Sequence, residues 1–117
     1  MKLDRIQKAK EVLEPIISKT PIVHAGKIHE NLYIKSENLQ GTGAFKLRGA
    51  YFKLSNLSEE EKKKGVIAAS AGNHAQGVAY SCMKMGIKGT IVMPKTAPLS
   101  KIEATRSYGV NVELQGD

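Results

Sequence analysis

Val66-Ile67-Ala68-Ala69-Ser70-Ala71-Gly72-Asn73-His74-Ala75-Gln76-Gly77 places four apolar residues before a small-residue turn and then changes period. Val66 to Ala69 is too short for a helix and opens with two β-branched residues, as a strand does, whereas Asn73 to Met85 keeps helical spacing and stops at Gly86. The alternation then repeats. Gly89 to Met93 reads as a strand, Ser100 to Tyr108 as a helix closed by Gly109, and Val110 to Leu114 as a third strand. Ser100 and Glu103 have capping-box spacing at the start of that helix. Strands alternating with helices imply a parallel sheet with right-handed crossovers. The expected class is therefore α/β, a three-layer parallel-sheet βαβαβ unit.

Working back towards the N-terminus, Ser58 and Glu61 form a second capping-box pattern. With acids first, bases last and Gly65 closing, Ser58 to Gly65 reads as a short helix whose charge run is structural. Ala44 to Leu54 reads as a helix with Lys46 in its first turn, entered from the loop Gly41-Thr42-Gly43. Ile22-Val23 and Leu32-Tyr33-Ile34 read as two short strands around a polar turn with Gly26 and His29-Glu30-Asn31. Leu3, Ile6, Ala9, Val12, Leu13 and Ile16 recur at helical spacing, with Asp4 as candidate N-cap and Pro15 and Pro21 as the stop.

The chain has 117 residues, 41% of them apolar, enough for one core and no more. Its net charge of +7 would suit a nucleic acid, an anionic cofactor or plain solubility. Aromatic residues make up 5%, Trp is absent and the lysines are dispersed, so no basic stripe with stacking rings is visible and no nucleic-acid partner is expected. Cys82 is single, which fits a buried thiol in a reducing compartment. His24 and His29 lack metal-ligand spacing and read as surface residues, so no metal is expected. No stretch approaches the roughly 20 apolar residues that span a bilayer, and Met1-Lys2-Leu3-Asp4-Arg5 does not resemble a signal peptide; a cytoplasmic protein without a membrane partner is expected.

Two segments carry chemistry. In Gly43-Ala44-Phe45-Lys46-Leu47-Arg48-Gly49-Ala50 the lysine stands just inside a helix. Near neutral pH only about one lysine amine in a thousand is the neutral nucleophile that attacks an aldehyde. A helix N-terminus and partial burial both raise that fraction. On chemistry alone Lys46 is a solvated helix-start lysine or a reactive one, and both stand. Arg48 reads as half of a framework ion pair, and Gly49 and Ala50 as permitting close backbone packing. The second segment, Ser70 to Gly77, brings a strand through a tight turn into a helix N-terminus, whose free N–H groups suit a carboxylate or phosphate. His74 is either a second acid or base or a histidine hydrogen-bonded for structure.

Ser36-Glu37-Asn38-Leu39-Gln40-Gly41-Thr42-Gly43-Ala44-Phe45-Lys46-Leu47-Arg48-Gly49-Ala50 resembles the cofactor-lysine segment of pyridoxal-phosphate enzymes of the tryptophan-synthase-β fold type, specifically the threonine and serine dehydratases. The resemblance covers nearly the whole chain. It implies that Lys46 forms the Schiff base with pyridoxal 5'-phosphate and is the catalytic residue, and that Phe45 packs near the cofactor ring. The family usually has Ser where this chain has Ala44, which removes one hydroxyl beside the lysine. Ser70, Gly72, Asn73 and His74 resemble the loop that cradles the substrate carboxylate, with Asn73 also near the cofactor's phenolic oxygen. Serine racemases carry Ser at the position of Ala71, so Ala71 disfavours racemisation.

The implied activity is deamination of L-threonine, and of L-serine, to a 2-oxo acid and ammonia by β-elimination, in a homo-oligomer. Enzymes of this family are much longer, and their phosphate-binding Gly-rich loop and pyridine-nitrogen partner lie further downstream. The expectation is thus an N-terminal portion of the catalytic domain: residues 1–52 as helix, short strands and cofactor-lysine helix, residues 53–117 as part of a small α/β subdomain. Weak cofactor binding is expected of the isolated chain. The alternatives are a non-catalytic α/β module or assembly subunit derived from such an enzyme, or a serine racemase-like enzyme.

Overall fold

The computed structural model describes residues 2–116. The expected span of 1–117 begins and ends on Met1 and Asp117, which lie outside the described residues. Helix α1 runs Leu3–Leu13 and is followed by a two-stranded antiparallel hairpin, β1 (Ile22–His24) with β2 (Tyr33–Lys35), in which Val23 faces Ile34. Helices α2 (Lys46–Ser55) and α3 (Glu59–Lys64) lead into β3 (Val66–Ala69), α4 (Asn73–Met85), β4 (Gly89–Met93), α5 (Leu99–Arg106) and β5 (Asn111–Leu114). The last three strands form a parallel sheet in the order β3-β4-β5.

Cross-strand register explains where the core sits. Ala68, Ile91 and Val112 lie side by side, and with Met93 they turn one face of the sheet towards α4 and α5, which also touch each other. Ile91 and Met93 are fully buried there. The alternate row, Ile67, Thr90 and Asn111, points the other way, and Ile67 is 72% exposed. Strand period of two produces this division. Because the sheet grows in one direction, crossovers of one hand set both helices on one face. The expected α/β class with a parallel sheet holds. The described residues put helices over that one face.

α4 is the central helix. Ala75, Val78, Ala79 and Cys82 are buried at helical spacing. The chain leaves α4 through Gly86 at φ 65°, a left-handed cap at which its N–H donates back to the α4 carbonyls, as the sequence predicts. α2 buries Leu47, Ala50 and Leu54 on the stripe that faces α4. Each buried leucine of this kind contributes about 1.5–3 kcal/mol.

Three local expectations are corrected. Asp4 is not the N-cap of α1: Lys2 holds that position without a side-chain bond, and Asp4 sits inside the first turn, where its charge still favours the helix dipole. Ser100 and Glu103 form no capping box, because α5 starts earlier, at Leu99 with Pro98 as N-cap, and Ser100 is already helical. Ala44 is not helical but buried in the preceding loop, and α2 begins at Lys46.

Candidate active site

The segment before the lysine is held by its own side chains. Gln40, 4% exposed, makes two bonds to one backbone unit: its amide nitrogen donates to the Ser18 carbonyl at 2.8 Å and its oxygen accepts from the Ser18 N–H at 3.1 Å. The Thr20 hydroxyl donates to Glu37 Oε1 at 2.6 Å. Arg48, two residues beyond the lysine, closes the ring with Nε to Glu37 Oε2 at 2.8 Å and Nη2 to Oε1 at 2.7 Å. This two-point fork is the framework pair expected of Arg48, and Glu37 is the partner the sequence did not reveal. The hydrogen bonds from Arg48 hold the Glu37 carboxyl at about 2, outweighing the opposing effect of burial, with Thr20 and Gln40 adding to the same direction.

Lys46 is the first residue of α2, with the loop Gly41-Thr42-Gly43 tightened beneath it by the Gly43 N–H donating to the Gln40 carbonyl at 2.7 Å. The lysine is exposed, which corrects the expected partial burial; its place in the first turn of α2 is as predicted. Its Nζ lies 5.3 Å from the centroid of the Phe45 ring, itself 58% exposed. Among the described residues the ion pairs are Arg48 with Glu37 and Lys62 with Glu59, so no carboxylate neutralises the Lys46 amine. A free amine beside an open aromatic face fits a flat aldehyde cofactor.

The second segment meets the first through one glycine. Gly77, a turn into α4, lies so near α2 that a Cβ there would be 3.1 Å from the Lys46 carbonyl carbon. Gly49 does not play the expected packing part, since a Cβ there would meet nothing within 4 Å. Asn73 and His74 are the first two residues of α4 and both are exposed. Gly72 is the N-cap, with no side-chain cap, so the first N–H groups of α4 have no partner from that side chain. The Gly72 N–H donates to Ser70 Oγ at 3.3 Å. Phe45, Lys46 and His74 line a cleft of about 740 Å³ between α2, α3, β3 and α4. Ser70, Gly72 and Asn73 do not line that cleft; they occupy the strand-to-helix turn beside it. His24 and His29 are exposed, as the sequence reading has them.

Residues 13–117 match the family model described as pyridoxal-phosphate dependent enzyme. The chain belongs to that family. Among its relatives, the L-threonine ammonia-lyase of Thermotoga maritima is 50% identical over 98% of this chain and 30% of its own length. The processed form of threonine deaminase isoform 2 from Solanum lycopersicum superposes with a TM-score of 0.85 at 43% identity, over 100% of this chain and 35% of that one. Maize serine racemase superposes with a TM-score of 0.93 at 35% identity, over 99% and 36%. The chain thus spans about a third of the length of the relatives it matches. The expected membership, fold type and cofactor of the family are borne out.

Proposed function

We propose that the protein containing this chain deaminates L-threonine, and L-serine, to the 2-oxo acid and ammonia, with pyridoxal 5'-phosphate as cofactor. In this reading residues 1–52 carry the cofactor-lysine helix and residues 53–117 are part of a small α/β subdomain. The observation that carries it is the contact of α2 with α4 at Lys46 and Gly77, which brings the lysine segment and the Ser70 to Gly77 segment to one end of a helix pair. Identity to the threonine ammonia-lyase supports the choice of reaction.

Lys46 is the catalytic residue. Its amine would hold the cofactor, and its Nζ would take the α-proton of the substrate. Phe45 would offer its exposed ring face to the cofactor, and Asn73 would help to hold it. Ser70, Gly72, Asn73 and His74 hold the substrate carboxylate at the start of α4, where free N–H groups favour an anion. The bound cofactor supplies an electron sink for the α-carbon. Loss of the α-proton and β-hydroxyl removes one water, and hydrolysis of the remaining C–N linkage returns it, so threonine yields a 2-oxo acid and ammonia without net water.

A serine racemase reading draws support from the maize superposition, but Ala71 carries a methyl where racemisation needs a proton donor. The dispersed charge argues against a nucleic-acid partner, and among the described residues no helix is long and apolar enough to cross a membrane. The reading is completed by a cytoplasmic homo-oligomer. The test is borohydride reduction of the full-length protein with cofactor, followed by peptide mass analysis, beside ammonia release and chiral analysis of recovered serine. Cofactor mass on Lys46, loss of that mass and of ammonia release in Lys46→Ala, and serine that stays L are expected. Ammonia release by Lys46→Ala at the wild-type rate sinks the proposal, and a folded protein that takes no cofactor supports the non-catalytic alternative.

A further inference from the structure

A Cβ on Gly77 would sit 3.1 Å from the Lys46 carbonyl carbon, 3.2 Å from its oxygen and 3.2 Å from the Leu47 nitrogen. Carbon atoms in ordinary contact keep about 3.5–4.0 Å. All three atoms are backbone, at or next to the lysine, and none is the far end of a side chain that could swing away. We propose that Gly77 is a positioning residue for Lys46. Its bare Cα lets the first turns of α2 and α4 touch, and that contact sets the separation between the lysine amine and the Ser70 to His74 turn. The proposal rests on the reading of Lys46 as the cofactor lysine.

Neither helix is free to retreat. Leu47, 1% exposed, anchors the start of α2 in the interior, and Arg48 is forked onto Glu37. On the other side Ala75 and Ala79 are fully buried, so α4 is packed against its surroundings at the same level. A methyl at 77 therefore displaces the start of α2 or of α4 by a few tenths of an ångström, and either movement changes the relation between the two segments. The demand for glycine is local to this contact, because a Cβ at Gly49 on the facing helix would meet nothing within 4 Å.

The experiment compares Gly77→Ala with Ile102→Val in the full-length protein. Ile102 is a core residue of α5 outside the site, so its variant lowers stability without touching the contact. Three quantities are read: the thermal midpoint of the cofactor-free protein, the rate at which Lys46 becomes trappable by borohydride after cofactor is added, and the pH midpoint of the absorbance of the cofactor attached to Lys46. Gly77→Ala is expected to slow trapping about three- to tenfold, scaled down from the loss that a full ångström of misplacement causes, and to move the pH midpoint. Ile102→Val is expected to keep both at wild-type values while its thermal midpoint falls. If Gly77→Ala does not fold alone, the double variant with Leu47→Val is measured against Leu47→Val alone, and the same slowing and shift relative to that single variant are expected; equal values in the two overturn the role of Gly77. Gly77→Ala with wild-type trapping and pH midpoint overturns the role of Gly77 and leaves Lys46 standing; no trapping on Lys46 in the wild type overturns both.

Discussion

Glu37 illustrates how a carboxylate outside the cleft can stabilise a loop. Its carboxyl sits at about 2 in the folded chain, against an ordinary value of 4.5, chiefly because Arg48 donates two hydrogen bonds to it. A group depressed on folding stabilises fully above its unfolded value and loses that contribution as pH falls towards the folded one. The chain should therefore lose stability between about pH 4.5 and 2 through Glu37, and Glu37→Gln should flatten that part of a urea-midpoint titration. Arg48→Met should cost about 1–2 kcal/mol at neutral pH, less than for a fully buried pair because the two side chains are 33% and 17% exposed. The guanidinium was legible as a framework cation from its place after the lysine. Its partner was not, because Glu37 lies 11 residues away and only the fold of the intervening loop joins them. The close approach at Gly77 was hidden for the same reason: helix packing decides it, and no local pattern reports which glycine faces a neighbouring backbone.

Among the elements, β3, α4 and β4 were readable to the residue. Their boundaries coincide with unambiguous local signals: β-branched strand residues, the Ser70-Ala71-Gly72 turn and a left-handed Gly86. Capping boxes were half as reliable. In α3 both halves exist, with the Glu61 N–H donating to Ser58 Oγ at 3.2 Å and Glu61 Oε2 accepting from the Ser58 N–H at 2.7 Å. In α5 the same spacing is bypassed, since the helix already starts at Leu99, after Pro98 as N-cap, and Ser100 falls inside its first turn. Ser58→Ala should thus cost about 1 kcal/mol, whereas Ser100→Ala should be within about 0.5 kcal/mol of neutral. Thermal midpoints of the two variants, measured side by side, check the difference; equal losses would contradict the assignment of these helix starts.

For the whole molecule, the parallel unit and the N-terminal hairpin are unequal in construction. The former shares a continuous interior of Ile91, Met93, Val112 and the α4 side chains. The latter exposes all six strand residues, and two strands alone are marginal in water. Short runs of β-branched and apolar residues bounded by turns announced both as strands, but exposure depends on what packs against them, which such runs do not report.

The paired bonds between Gln40 and Ser18 span 22 residues and fasten both ends of the excursion that contains β1 and β2. They act as a clasp at the base of a flap. Gln40→Ala would open it, and limited proteolysis of that variant should nick the bend between Gly26 and Asn31 before any cut in the parallel unit. Helical signal from α4 should persist in the nicked chain. The segment that leads into α2 would then have lost its tether on one side only, so damage to the flap would show as slackness at the start of α2 long before the parallel unit came apart.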